Sequence, residues 1–338
     1  MWLCFMKLFY LDEKNRFAIV PLSYSMRDAR FKLVTAESDF GAGKQGASLG
    51  PQALIEELKK SDFDQVDIYN YVRLVPRQID SATDTPHGKN IEVISEYQSR
   101  ICENISELMQ VGKVPFILSG DHSSANALVS GVKDHYANSR IGVIWIDAHA
   151  DLHSPYTTPS GNIHGMPIAA LMGDDHKEMG RNEPKEITKK LWQDMKRLGR
   201  KRISPKIQGR DIVFIGLRST ETEEERIIKK EQIKTFRPDD IRHIGIEQVL
   251  QQSLQHLRNC EYIFISFDVD SLDSSISMGT GTPVADGLTL EQAQYLMRET
   301  LKLPNLAGFE ITEINPQLDE VKPMHKIIAQ LLLGVFKK

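Results

Sequence analysis

Apolar runs of strand length recur along this chain with amphipathic, helix-length segments between them, the pattern of a parallel sheet covered on both faces. The first candidate strand is Phe17–Leu22, and Gly46–Leu58 follows as a helix, with Pro51 where a first helical turn accepts proline. Ile91, Ile94, Ile101, Ile105 and Leu108 recur at helical spacing and predict a helix over 91–109. Strand 114–119, helix 123–135 and strand 141–146 come next. The stretch 174–210 is charged and weakly periodic apart from a helix over 187–198, and is expected to be a surface excursion. Alternation resumes with strand 211–217, helix 246–257, strand 262–267, helix 290–301, strand 307–311 and helix 322–336. Without a repeat or low-complexity tract, these elements predict one α/β domain over 1–338: a three-layer αβα fold with a mostly parallel central sheet and an N-terminal extension over 1–16.

Two of the apolar runs end on acid. Ile141–Ile146 leads into Asp147-Ala148-His149-Ala150-Asp151, and Tyr262–Phe267 into Asp268-Val269-Asp270. Residues two apart on an extended chain share a side, so Asp147, His149 and Asp151 can converge, as can Asp268 and Asp270. Four carboxylates at the ends of buried strands repel one another and lose solvation unless positive charge sits among them. His122, in Gly120-Asp121-His122 after strand 114–119, can join them, because ligands gather beyond the carboxyl ends of strands in open α/β sheets. Two imidazoles and four carboxylates exceed the needs of one tetrahedral zinc. Bridging carboxylates let the set hold two divalent ions about 3.5–4 Å apart, and oxygen-rich ligation without thiolate favours manganese or magnesium. The residues predict a metallohydrolase.

Composition narrows the setting. The chain has 338 residues, 41% hydrophobic and 26% charged, with a formal net charge of -4. That is a globular profile without the global basic field of a nucleic-acid partner. Cys4, Cys102 and Cys260 are too widely spaced for a CxxC pair or a disulfide framework, which suits a reducing cytosol, and a cytoplasmic location is expected. The apolar start MWLCFM is cut short by Lys7 and lacks the marks of a signal peptide; Met6 is an alternative start. No run reaches the roughly 18 apolar residues of a membrane span, so no membrane partner is expected.

The segments LSGDHS, WIDAHADLHSPYTTPSGNIHGMP, SFDVDSLDSS followed by GTGTP, and EITEINP resemble the ureohydrolase family, the arginases and agmatinases, in order and near-family spacing from about Gly43 to Gln317. SGNIHG resembles the arginase branch. The resemblance implies two Mn²⁺ per chain, one held by His122, Asp147, Asp151 and Asp268, the other by His149, Asp147, Asp268 and Asp270, with hydroxide between them as nucleophile. It implies that Asp151 holds that nucleophile and passes its proton on, that His164 shuttles protons, and that Glu313 pairs with the guanidinium. Substrate contacts carried over from the family fall on Ser160, Asn162, Glu221, Glu224 and Thr282. His153 stands where arginases have an asparagine that reads the substrate carboxylate, and Glu221 where they have an aspartate near the α-amino group. The implied reaction is hydrolysis of L-arginine to L-ornithine and urea by a homo-oligomer, a trimer or hexamer.

Other readings stand beside this one. Agmatine, another guanidino acid or formimidoylglutamate would use the same chemistry. A catalytically idle regulatory homologue has no physical need of six converging ligands, and a zinc deacetylase would not use them all. Among the remaining features, Gly41–Gly46 lacks the GK[ST] ending of a phosphate loop and is expected to be a flexible rim of the active site. The acidic run 221–225 is expected to be a solvated helix start, the basic stretch 196–206 a solvated face, and Tyr156 a loop-packing residue.

Overall fold

The computed structural model describes residues 30–336 apart from 62, 79–83, 320 and 322, together with the backbone of 8–11 and 17–20. Strands β1 (Leu8–Leu11) and β2 (Phe17–Val20) pair antiparallel as a small sheet of their own. The candidate strand over 17–22 is therefore present as far as Val20 but contributes nothing to the central sheet; its last two positions lie outside the described residues.

The central sheet has eight strands, all parallel: β3 (Phe31–Ala36), β4 (Val72–Leu74), β5 (Val114–Ser119), β6 (Ile141–Ile146), β7 (Ile212–Ile215), β8 (Lys234–Phe236), β9 (Tyr262–Asp268) and β10 (Leu306–Thr312). Their spatial order is β4-β3-β5-β10-β9-β6-β7-β8. The four middle strands are buried along nearly their whole length and carry β-branched and aromatic side chains to both faces, as a doubly covered parallel sheet requires. Phe116 and Phe309 stack across β5 and β10 with ring centroids 5.7 Å apart.

Among the described residues, ten helices complete the fold: α1 (Gly50–Leu58), α2 (Ile91–Gln110), α3 (Ala125–His135), α4 (Pro167–Met172), α5 (Glu186–Met195), α6 (Thr222–Lys230), α7 (Pro238–Ile244), α8 (Ile246–His256), α9 (Leu290–Thr300) and α10 (Met324–Phe336). Two hydrophobic clusters form, one on each face of the sheet. Leu54, Leu250, Leu296 and Leu332 belong to one, and Ile101, Leu128, Leu171 and Ile227 to the other. None of the helices among the described residues is long and apolar enough to cross a membrane.

Several details differ from the sequence pattern. Residues 31–36 form a full central-sheet strand that Lys32 and Thr35 concealed by interrupting the apolar run. Within 174–210, Trp192 and Met195 of α5 pack into a third apolar cluster with Ile91, Ile94, Ile163 and Met166. The basic stretch 196–206 is not a uniformly solvated face, for Lys196 and Lys206 are 5% and 4% exposed. Lys196 Nζ reaches Asp175 Oδ1 at 2.5 Å, and Lys206 Nζ donates to the Lys196 carbonyl at 2.6 Å, so each buried ammonium meets an oxygen.

Candidate metal and guanidinium site

The C-terminal ends of β5, β10, β9 and β6, neighbours in that order, deliver the chemistry-bearing side chains to one place. His122 follows β5, Glu313 follows β10, Asp268 ends β9 with Asp270 just beyond, and Asp147, His149 and Asp151 follow β6. His122 Nδ1 lies 3.1 Å from Asp147 Oδ2, 3.2 Å from Asp151 Oδ2 and 3.2 Å from Asp268 Oδ2. Next to this group, His149 Nδ1 lies 3.0 Å from Asp270 Oδ2 and 3.5 Å from Asp147 Oδ1. Asp147 thus presents one oxygen to each imidazole.

The donor set fits divalent cations. Metal–oxygen bonds of about 2.1 Å put adjacent octahedral ligands about 3 Å apart, close to the spacings here. His122 Nδ1 and Asp147 Oδ2 are buried without a hydrogen-bond partner, as ligand atoms facing an ion are. Among the described residues three groups of ligand atoms lie close enough for a shared ion: His122–Asp147–Asp268 and Asp147–His149–Asp270 here, and His153–Glu221–Glu224 apart from them. Backbone N–H groups orient two of the carboxylates: His149 N donates to Asp147 Oδ1 at 2.7 Å and Asp270 N to Asp268 Oδ1 at 2.7 Å.

Without cations the cluster balances its charge by protons. Burial lifts the Asp268 carboxyl well above its usual range and Asp270 to about 6, with neighbouring aspartates adding to both. Asp151 is raised for the same two reasons. For His122 and His149, burial opposes protonation, but the surrounding carboxylates outweigh it and raise both imidazoles well above their usual value. Asp147, buried between the two histidines, is instead held low by them.

Behind His122 stands a network that motif reading missed. Its Nε2 meets Ser266 Oγ at 2.7 Å, and Ser266 donates in turn to Glu310 Oε2 at 2.8 Å; Ser119 Oγ donates to Glu310 Oε1 at 2.5 Å. Sheet register makes this possible, since Ser266 on β9 is level with Trp145 on β6 and Glu310 on β10. The Trp145 ring lies parallel to His122 with centroids 4.1 Å apart. A proton fixed on Nε2 leaves Nδ1 bare for an ion. The available signal was period-two alternation, which puts Ser266 and Glu310 on one face of two otherwise apolar strands.

His164 sits in a 3₁₀ turn over 163–165, and its Nδ1 is 3.0 Å from Glu313 Oε1. The same oxygen accepts from His122 N at 2.9 Å. Burial disfavours the His164 cation, yet the Glu313 carboxylate prevails and pushes the imidazole up to about 9. Burial pushes Glu313 up, but the hydrogen bonds and charge of His164 and His122 together outweigh it and hold the carboxyl below its usual value, so it stays ionised. Asp151 and Glu313 both adopt left-handed backbone, at φ 52 and φ 65. Such conformations cost energy in non-glycine residues and concentrate at functional sites. The 41–46 rim is tied to this centre: Gly41 N donates to Asp121 Oδ2 at 2.9 Å, and the Gly41 carbonyl accepts from His164 N at 3.1 Å.

The expected substrate-reading residues are placed unevenly. His153 is buried, with Nε2 hydrogen-bonded to Glu221 Oε2 and Nδ1 3.1 Å from Thr157 Oγ1. Glu221 is the N-cap of α6 and half exposed. Glu224 is buried and accepts from Leu152 N and Glu221 N, so the acidic run is only partly a solvated helix start. Burial pushes Glu224 up to about 7. Thr282 Oγ1 reaches Asp270 Oδ2 at 3.1 Å. Ser160 is exposed and accepts from Asn162 N, while Asn162 Oδ1 receives Lys89 Nζ at 3.3 Å.

Comparison with known proteins agrees with this geometry. The profile of the Arginase family matches residues 29–336. An arginase of Staphylococcus aureus (strain MRSA252) is 33% identical over 85% of this chain and 90% of its own. The structure of arginase from Bacillus caldovelox superposes with a TM-score of 0.77 at 28% identity, covering 92% of this chain and 99% of that one. Entamoeba histolytica arginase in complex with L-ornithine superposes with a TM-score of 0.74 at 26% identity, covering 91% and 98%.

Proposed function

Because the chain belongs to the arginase family, we propose that it hydrolyses L-arginine to L-ornithine and urea with two Mn²⁺ held by His122, Asp147, His149, Asp151, Asp268 and Asp270. The observation that carries this reading is the convergence of His122 and His149 on Asp147 from its two sides, each with a further aspartate in contact. A bound pair of divalent cations supplies a water nucleophile of lowered pKa near neutral pH.

The residues of the chain supply the rest. Glu313 receives the guanidinium by charge-assisted hydrogen bonds and fixes its carbon for attack. Asp151 takes the proton of the attacking water and hands it to the leaving nitrogen. His164, its proton held by Glu313, completes protonation of the departing amine so that ornithine leaves as the ammonium. At the mouth, His153 beside Glu221 sets a cationic group against an anionic one, complementary to the zwitterionic end of an α-amino acid. Ser160 and His153 face the carboxylate in this reading, Glu221 the amino group with Glu224 behind it, and Asn162 and Thr282 border the pocket. The relative crystallised with L-ornithine supports a product of this class.

The test is urea release by manganese-loaded protein from L-arginine, agmatine and 4-guanidinobutyrate under identical conditions. L-arginine is expected to give the highest kcat/KM. Either analogue outperforming it would remove the amino-acid-reading role of Ser160, His153 and Glu221 and leave only ureohydrolase chemistry.

A further inference from the structure

The segment after β7 holds a side chain that the proposed reaction leaves unused. Arg218 makes six hydrogen bonds, all to backbone carbonyls. Its Nη2 reaches Asp270 O at 2.8 Å, Leu272 O at 3.1 Å and Val284 O at 2.8 Å. Nη1 reaches Gly216 O at 3.0 Å and Ser271 O at 3.3 Å, and Nε reaches Ala285 O at 2.9 Å. One guanidinium therefore staples the end of β7 to the turn carrying Asp270 and to the far end of the loop carrying Thr282.

We propose that Arg218 is the positioning residue of the second metal site, clamping the carbonyls of 270–272 and 284–285 so that the Asp270 carboxylate stands opposite His149. This rests on the two-ion reading above.

Three observations support it. Asp270 is fixed twice through this clamp: its carbonyl by Arg218, and its Oδ2 by Thr282, whose loop Arg218 anchors. The loop also closes on itself, with Asp273 Oδ2 accepting from Asp286 N and Gly287 N, and Leu288 N donating to Ser271 O at 2.9 Å. Packing there is tight enough that a Cβ on Gly287 would come within 2.4 Å of Asp273 N and 2.6 Å of Arg218 Nη2.

The chemistry calls for arginine. Five N–H donors in a planar fork can serve carbonyls from three chain segments at once, whereas an ammonium offers three donors from one point. The fork also brings a permanent positive charge beside the aspartates without itself competing as a ligand. Of the six proposed ligands, the Arg218 side chain hydrogen-bonds only Asp270, through its carbonyl, so the effect falls on the His149–Asp270 side.

The experiment measures Mn²⁺ bound per chain by equilibrium dialysis across a range of free metal, for wild type, Arg218→Lys, Arg218→Gln and His149→Asn. Wild type is expected to hold two ions. Both Arg218 variants are expected to keep one with unchanged affinity and to bind the other at least tenfold more weakly. In the His149→Asn background, where the second ion is already lost, adding Arg218→Lys should leave the remaining affinity unmoved; a merely structural role would weaken it as well. Two ions bound at wild-type affinity in both Arg218 variants overturn the inference, as does equal weakening of both ions. Fewer than two ions in wild type would overturn the two-ion reading first, and this inference with it.

Discussion

At the scale of single residues, Glu313 and His164 behave as a pair. Glu313→Gln keeps the shape but loses the charge on which, in the proposed reaction, a guanidinium docks, an interaction worth about 1.5–3 kcal/mol. Its kcat/KM for the best substrate should fall on the order of 10- to 100-fold, read from initial rates of urea release. His164→Ala should lower kcat by roughly 10²–10⁴-fold while leaving bound metal unchanged by elemental analysis. The pair also has a pH signature. His164 rises from 6.5 to about 9 on folding, so its contribution to stability is complete below pH 6.5 and disappears as pH climbs through about 9. His164→Asn should therefore lower Tm clearly at pH 6 and hardly at pH 10. Asp147 offers an oxygen to each histidine, so Asp147→Asn is expected to cost both ions, whereas His122→Asn should loosen one, by the same metal analysis.

Among the elements, the middle of the sheet was legible and its margins were not. β5, β6, β9 and β10 are apolar runs, interrupted only by Ser266 and Glu310, that lead into Gly120, Asp147, Asp268 and Glu313, so both strand and site stood out. β4 and β8 have three residues each, too few to show a period. α6 begins with four acidic or polar residues and buries little beyond Glu224, Ile227 and Ile228, so its helical face hid behind its charge. The His153–Glu221 contact joins residues 68 apart and depends on how the loops after β6 and β7 meet, which no local spacing reveals. Helix ends were more readable. Thr289 caps α9, accepting from Gln292 N at 3.2 Å while Gln292 Oε1 accepts from Thr289 N at 3.0 Å. Thr289→Ala should cost about 1 kcal/mol, measurable in urea unfolding as a lower midpoint with an unchanged m value.

For the whole molecule, the concentration of acid at one end of the sheet couples folding to metal. His122, His149, Asp151, Asp268 and Asp270 all bind protons more tightly in the fold than outside it, Asp270 with a pKa of about 6 against 3.8. Each therefore withdraws stability as pH rises, while Asp147, shifted down, contributes in full above its ordinary 3.8 and loses that contribution only as pH falls below it. Chelator-treated protein should lose Tm between pH 4 and 8. Manganese at 100 times its Kd restores about 2.7 kcal/mol per site, so the gap between loaded and stripped protein should widen with pH in scanning calorimetry. A gap that narrows would contradict the charge balance described above.

The parallel stacking of Trp145 on His122 turns the site into its own optical reporter. An indole emits less when a protonated imidazole lies against its face, and a paramagnetic ion a few ångströms away also shortens its excited state. Zinc, which is diamagnetic, removes the first effect without adding the second. Trp192, the other tryptophan among the described residues, lies in the apolar cluster beneath α5 and serves as an internal reference. Emission from stripped protein should brighten with zinc and dim with manganese, and Trp145→Phe should abolish both responses, so that filling of the His122 side can be followed in a cuvette without any substrate.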